Sequence, residues 1–196
     1  YQTTPAYGGK ILAHIVIRER RPQMATVHPR IFSPIAPVPG ARGELVRERV
    51  EESADDDYQV LETLPVENAG ENLCCAVSVV AGGRGIKSQE DLAMLRELAE
   101  LTCGQLASSR PLVDNGWLAH DRQIGQSGAT VKPGVIFNVA ISGSVQYQLG
   151  MCNAGCIVAI NQTADAPIFD IAHYGVVADY RKFLPAFLSE LRERRK

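Results

Sequence analysis

The sequence predicts an α/β protein in which helices cover both faces of a parallel sheet, with a short β segment preceding it. From residue 73 onward, apolar runs alternate with amphipathic stretches, and a glycine-rich loop separates the first run from the first stretch. Polar residues follow most of the apolar runs. Buried parallel strands joined by crossover helices have this alternation, and their carboxyl ends share one edge of the sheet.

The first 32 residues predict two strands. One parity is apolar at four positions, which are Ile11, Ala13, Ile15 and Ile17. A second apolar stretch follows at 24–27, after the charged turn Arg21-Pro22. Alternation of this period indicates strands, and because two strands do not stand alone in water, we expect them to pack on more protein.

A linker is predicted over residues 33–70. Its first part contains three prolines, which remove backbone donors and fix φ, so no ladder continues there. Short strands are expected at 45–50 and 58–65, on either side of an acidic turn. Residues 71–196 then form the α/β domain.

Five strands are predicted in this domain, at 73–80, 105–107, 135–141, 156–160 and 175–178. The first helix is predicted to begin at Ser88, because Ser88 and Asp91 have the spacing of a capping box ahead of a leucine stripe. Further helices are expected at about 144–151 and 182–194.

Composition excludes several classes of protein. The 196 residues are 45% hydrophobic with a net charge of −2, which is typical of a soluble protein without bulk attraction to nucleic acid. No apolar run spans a bilayer, and five cysteines favour a reducing compartment, so we expect no membrane insertion and a cytoplasmic or mitochondrial-matrix location. No ligand-like cluster indicates a metal. Because the chain begins without Met, we expect it to be part of something longer.

The glycine loop, residues 82–88, is suited to an anion. Its glycines let a ligand approach the main chain, Arg84 and Lys87 add positive charge, and a helix N-terminus follows. A phosphate-bearing cofactor is the expected occupant. The loop matches neither the spaced dinucleotide fingerprint nor a Walker loop, so a plain strand-to-helix turn is the alternative.

Polar clusters at the other strand ends extend this candidate site. They are Ser108-Ser109-Arg110, the loop 123–128, Ser142-Gly143-Ser144, Asn161 and Asp179. Hydroxyls and arginines suit a pyrophosphate, whereas Asn161 and Asp179 suit a ribose or base edge. Each residue alone has a structural explanation as a helix cap or turn, but together they predict a long ligand.

These segments, in this order and spacing, resemble the FAD-binding domain of the electron-transferring flavoprotein alpha subunit. The resemblance rests on residues 82–88, 109–114, 123–128, 141–146, 157–161, 166–169 and 174–179. It implies a Rossmann-like FAD-binding domain at 71–196. Residues 2–9 and 21–27 resemble the end of that family's N-terminal domain, so residues 1–32 would be its β remnant, with most of that domain outside this chain.

The resemblance also implies where FAD lies. Arg110 would stand beside the isoalloxazine, and the Ser127 hydroxyl would reach flavin N5. Asn161 and Asp179 would hold the adenosine end, with Arg84 on the pyrophosphate path. The expected cofactor-binding residues are Arg84, Gly85, Ser109, Arg110, Gln123, Gly125, Gln126, Ser127, Gly128, Ser142, Gly143, Gln146, Tyr147, Asn161 and Asp179.

Two positions depart from the family pattern. Tyr147 stands where His is usual, and Ser127 stands where Thr is common. Tyrosine can donate to a flavin carbonyl, but with a pKa of about 10 it brings no positive charge at neutral pH. Serine keeps the hydrogen bond without the methyl packing. Both departures bear on the redox potentials of the bound flavin.

The resemblance implies an electron carrier without substrate chemistry of its own. Such a subunit holds FAD, pairs with a beta subunit, and passes electrons from flavin dehydrogenases, such as the acyl-CoA dehydrogenases of fatty acid β-oxidation, to a quinone reductase or another acceptor. The residue types agree, since the fixed charge of Arg110 would stabilise negative charge on a reduced flavin. The alternatives are a nicotinamide-linked oxidoreductase and a cofactor-free assembly domain.

Overall fold

The protein is described by a computed structural model that covers residues 1–6, 11–27, 32, 35–49, 61–63 and 73–195. Its main body is a five-stranded sheet in which every neighbouring pair is parallel. The strands are β3 (Ser78–Gly82), β4 (Gln105–Ser108), β5 (Val135–Val139), β6 (Cys156–Asn161) and β7 (Tyr174–Val177), and they lie in the order β4-β3-β5-β6-β7. The predicted α/β class is confirmed.

The strand order reverses between β3 and β5, because the chain moves outward to β4 and then returns to the other side of β3. In open parallel sheets, ligands bind in the crevice at the carboxyl ends of the strands where this reversal occurs. The glycine loop leaves β3 at this point. The topology therefore places the loop in the crevice.

Helices α1 (Leu92–Leu101) and α4 (Tyr180–Arg194) cover one face of the sheet. Their buried leucines pack with Val80, Phe137 and Val139, which share one side of β3 and β5. The opposite face is covered by Tyr147 of the short helix α3 (Val145–Gln148) and by less regular chain that includes Met151 and Ile168. All five residues of β3 are buried, as expected for a central parallel strand.

The amino-terminal segment is a two-stranded antiparallel sheet of β1 (Gln2–Ala6) and β2 (Ile11–Ile15). The predicted strand at 11–17 is present, but the predicted second strand at 24–27 is wrong. The partner of β2 is the earlier segment, where Thr3 Oγ1 and His14 Nδ1 share a hydrogen bond of 2.9 Å. Residues 24–27 make no ladder, and Met24 and Val27 are exposed.

The predicted linker strands are absent from the part of the linker that the structure describes. Residues 45–49 form no strand, nor do residues 61–63. The rest of those two predicted strands, residue 50 and residues 58–60 and 64–65, lies outside the described residues. No disulfide joins the five cysteines. Within the described ranges, no helix is long and apolar enough to cross a membrane.

Element boundaries differ from the predicted ones in several places. β3 begins at Ser78 because the first part of the predicted strand is a 3₁₀ turn at Leu73–Cys75. β5 ends before Ala140, whose φ of +55° leaves the extended region. Helix α4 begins at Tyr180, two residues early, and the five-residue helix α2 (Arg110–Asp114) was not predicted.

The predicted capping box at the start of α1 is wrong. The helix begins at Leu92, and residues 88–91 form turns in which the Asp91 amide donates to the Ser88 carbonyl at 3.3 Å. Asp91 occupies the N-cap position, but its side chain makes no cap hydrogen bond. The carboxylate instead binds two residues of α4.

Candidate functional site

Two cavities lie at the carboxyl edge of the sheet. The larger, of about 560 Å³, is formed by the chain that follows β3, β4 and β5 together with the loop 123–127. The smaller, of about 190 Å³, lies at the end of β6 and the start of α4. Arg84 and Ser142 line both cavities, so the two form one elongated site along the sheet edge.

Every predicted cofactor-binding residue except Gly128 lines one of these cavities. Arg84 and Ser142 line both; the others in the larger cavity are Ser109, Arg110, Gln123, Gly125, Gln126, Ser127, Gly143, Gln146 and Tyr147, and those in the smaller cavity are Gly85, Asn161 and Asp179. A β-carbon on Gly128 would collide with the backbone of Gln123. Gly128 therefore allows the two ends of the loop 123–128 to pack against each other.

The glycine loop is held by the chain that follows β5. Gly83 donates to the Val139 carbonyl at 2.9 Å, and Gly85 donates to the Ala140 carbonyl at 3.1 Å. A β-carbon on Gly83 would collide with Ala140 and Ile141. These glycines are required for packing, and two of the amides expected to hold an anion are already bonded within the protein.

Of the two cations in the glycine loop, Arg84 is the one that lines the cavities. This residue is exposed, lines both cavities, and makes no hydrogen bond or ion pair to the part of the chain that the structure describes. Lys87 lines neither cavity, and helix α1 begins only at Leu92, so the predicted helix N-terminus does not open directly from the loop. An anion at the junction of the cavities would depend on Arg84 and the Ser142 hydroxyl.

The loop 123–128 is built around a buried glutamine. The Gln123 side chain donates from Nε2 to Ser127 Oγ at 3.0 Å, and the Gln126 amide donates to the Gln146 carbonyl at 2.8 Å. Gly125 has a φ of +137°, a conformation that favours glycine. Because Ser127 accepts from Gln123, its own hydroxyl proton is left to donate elsewhere.

The end of β4 keeps hydrogen-bonding capacity for a ligand. Ser109 occupies the N-cap position of α2 without a side-chain cap hydrogen bond. The Arg110 side chain is 70% exposed, and its Nε lies 3.3 Å from Asp114 Oδ2. The preceding Ser108 is buried, and its Oγ has no partner among the residues described. The hydroxyls of Ser108 and Ser109 are therefore not used as helix caps.

Tyr147 lines the larger cavity, and its hydroxyl points into the protein. The residue is 4% exposed, and its hydroxyl donates to Asn138 Oδ1 at 2.6 Å. Asn138 is fully buried and donates in turn to the Val158 carbonyl at 3.1 Å. Burial raises the pKa of Tyr147 well above its ordinary value. Because the Tyr147 hydroxyl proton is engaged by Asn138, it is not free to donate to a ligand.

The two polar residues of the smaller cavity also have structural hydrogen bonds. Asn161 donates to the Ile141 carbonyl at 2.8 Å and accepts from the Thr163 amide at 2.9 Å. Asp179 caps helix α4 by accepting from the Arg181 amide with Oδ1 at 2.9 Å. Asn161 keeps its second amide hydrogen for a ligand, and Asp179 keeps its second carboxylate oxygen.

Sequence reasoning missed several residues that line the cavities. They include Gln162, Thr163 and Tyr180. Each stands one or two positions after a predicted site residue, so proximity in sequence was the available signal. Among the described residues, no group of three His, Cys, Asp or Glu side chains is arranged to hold a metal ion.

The residues present fit an extended dinucleotide. One cavity is large enough for a ring system, the other is polar at its far end, and a cationic and a hydroxyl side chain stand where they join. The backbone near this junction is tightly packed, since Gly143 has a φ of +86° and a β-carbon there would lie 2.5 Å from the Ile168 amide nitrogen. A mononucleotide would leave the smaller cavity unused.

Comparison with known proteins also indicates similarity to a flavin-binding domain. Residues 72–152 match the family described as the electron transfer flavoprotein FAD-binding domain. Electron transfer flavoprotein subunit alpha of Megasphaera elsdenii is 38% identical over 196 residues, which cover 98% of this chain and 58% of the relative. Protein FixB of Azorhizobium caulinodans is 40% identical over 198 residues, covering 98% of this chain and 53% of the relative.

A third relative has a different name. The lactate dehydrogenase (NAD(+),ferredoxin) subunit LctC of Acetobacterium woodii is 40% identical over 189 residues, which cover 96% of this chain and 45% of the relative. The chain thus spans about half the length of the curated relatives it matches.

Proposed function

We propose that this chain, whose residues 72–152 match the electron transfer flavoprotein FAD-binding domain family, is part of an alpha subunit that carries electrons between proteins. In this proposal the donors are flavin dehydrogenases, such as acyl-CoA dehydrogenases, and the acceptor is a quinone reductase or a comparable protein. A beta subunit completes the heterodimer. The division into residues 1–32, 33–70 and 71–196 is part of the same proposal.

The observation that carries the proposal is the pair of cavities that share Arg84 and Ser142. We infer that the larger cavity takes the flavin ring, the smaller takes the adenosine, and the shared residues bind the pyrophosphate. Asp179 would offer its uncapped oxygen to a ribose hydroxyl, and Asn161 its remaining amide hydrogen. FAD supplies the electron-accepting and electron-donating chemistry when it is bound.

The residues of the larger cavity would orient and tune the ring. Arg110 supplies a charge that cannot be lost at accessible pH, which favours negative charge on a nearby group. The Ser127 hydroxyl, oriented by Gln123, would donate a hydrogen bond to the ring. Tyr147 would offer no hydrogen bond to the ring, because its hydroxyl proton is engaged by Asn138.

The lining of the cavities favours electron transfer over the nicotinamide-linked alternative. Neither cavity is lined by a histidine, and Asp179 is the one carboxylate among the described lining residues. An acid–base enzyme needs a side chain placed to move a proton to or from its substrate. The proposed carrier needs only a bound flavin and a path to its partners.

The test is a titration of the purified chain with FAD, FMN and NADH, followed by absorbance spectroscopy. The proposal predicts that FAD binds with a perturbed flavin spectrum, that FMN binds more weakly, and that NADH alone does not reduce the bound flavin. Absence of any flavin binding would favour the assembly-domain alternative. Rapid reduction by NADH alone would favour the nicotinamide-linked enzyme.

A further inference from the structure

Four residues form a hydrogen-bonded group that joins the glycine loop to helix α4. The Tyr180 hydroxyl oxygen accepts from the Lys87 amide at 3.0 Å, and the hydroxyl donates to Asp91 Oδ2 at 2.6 Å. Arg181 donates to the same oxygen from Nε at 3.0 Å and from Nη2 at 2.7 Å. We call this group of Lys87, Asp91, Tyr180 and Arg181 the Asp91 clamp.

The clamp connects two walls of the smaller cavity. On one side, Tyr180 is 4% exposed, lines the cavity, and directly follows Asp179. On the other side, Lys87 lies two residues after Gly85 and three after Arg84, both of which line the same cavity. The connection spans about 90 positions of sequence, and no backbone hydrogen bond among the described residues joins the glycine loop to α4.

The charges of the clamp keep it intact at neutral pH. Burial raises the pKa of the Asp91 carboxyl, but hydrogen bonds from Arg181 and Tyr180 outweigh burial, so the pKa lies below its ordinary value. Burial and the neighbouring Asp91 raise the pKa of Tyr180. The carboxylate is therefore ionised while the phenol keeps its proton, which makes their hydrogen bond charge-assisted.

We propose that Tyr180 and Asp91 are positioning residues for the adenosine end of FAD. By tying Lys87 to the first turn of α4, they set the separation between Arg84 on the loop and Asp179 on the helix. This inference rests on the proposed function, since it assumes that the smaller cavity holds the adenosine. It predicts that the clamp matters for a dinucleotide that reaches both walls and not for a flavin that occupies the larger cavity alone.

The test compares FAD and FMN affinities of Tyr180→Phe with those of the wild-type chain. The substitution keeps the ring that packs in the core and removes the two hydrogen bonds of the hydroxyl. We expect the FAD dissociation constant to rise by about tenfold or more, as for loss of a hydrogen bond to a charged group. The FMN dissociation constant should stay at its wild-type value. Tyr174→Phe is the matched control, because Tyr174 is 67% exposed and lines neither cavity.

A second variant and a second measurement separate positioning from general destabilisation. Asp91→Asn keeps the shape of the side chain while removing its charge, and it should also raise the FAD-to-FMN ratio of dissociation constants. Hydrogen exchange at the Lys87 amide should be slow in the wild type and faster in both variants. Lower affinity for FAD and FMN together, or an unchanged ratio in both variants, would overturn the positioning role.

The failure of the two proposals can be told apart. If the wild-type chain binds no FAD, the proposed function is refuted and the clamp's role falls with it. If the wild-type chain binds FAD and both clamp variants bind it equally well, only the clamp's role is refuted. The same holds if Tyr174→Phe produces a loss as large as that of Tyr180→Phe.

Discussion

Removal of the Tyr147 hydroxyl is predicted to lower stability without weakening FAD. The Tyr147→Phe substitution keeps the buried ring and deletes the donor that lies 2.6 Å from Asn138 Oδ1. Asn138 is fully buried, so water cannot replace that donor without a rearrangement of the core. Leaving a buried acceptor unsatisfied costs about 1–3 kcal/mol in the free energy of unfolding.

The assay is urea denaturation followed by circular dichroism, with Tyr174→Phe as the control for loss of an exposed phenol. A double variant, Tyr147→Phe with Asn138→Val, should be less destabilised than the sum of the single variants, because both partners are then removed. FAD affinity of Tyr147→Phe should match the wild type. Unchanged stability combined with weaker FAD binding would show that the hydroxyl faces the flavin and would refute the geometry described above.

Three further predictions concern charged groups. Arg110→Ala should lower the reduction potential of the bound flavin, with Arg110→Lys intermediate, as measured by spectroelectrochemical titration; equal potentials in all three proteins would remove Arg110 from this role. Asp179→Ala should weaken FAD by about 1–3 kcal/mol and destabilise α4, whereas Asp179→Ser should restore the helix cap but not the affinity, as measured by flavin titration and thermal unfolding; full affinity in Asp179→Ser would contradict the proposed ribose contact. Because the pKa of Asp91 is lowered in the folded state, its carboxylate stabilises the fold above about pH 4, and this stabilisation is lost as the pH falls through the folded-state pKa. The difference in unfolding free energy between the wild type and Asp91→Asn should therefore shrink in acid. A difference that grows below about pH 4 would contradict this prediction.

The strands of the domain were predictable because their signal is local. A central parallel strand such as β3 is buried on both faces, and its residues therefore form a continuous apolar run that is visible in sequence. The amino-terminal pairing was not predictable in the same way. Residues 2–6 and residues 24–27 are both short segments close to β2 in the sequence. Which of them pairs with β2 depends on which backbone lies next to β2 in space.

The membership of the candidate site was also largely predictable, although the function of each member remains a proposal. Parallel strands bring their carboxyl ends to one edge, so polar residues that follow successive strands, such as Ser109, Ser142 and Asn161, are brought together by the topology. The sequence thus determined the class of fold and the edge at which a ligand would bind.

Only the tertiary structure decided what each polar group contacts. The Tyr147 hydroxyl, which could have donated to a flavin carbonyl, donates to Asn138, and Asp91 was expected to cap its own helix and instead binds Tyr180 and Arg181. A polar side chain forms its hydrogen bond or ion pair with the partner that the packing of the core brings closest to it. For Asp91 that partner lies about 90 positions away in the sequence, where no local pattern could indicate it.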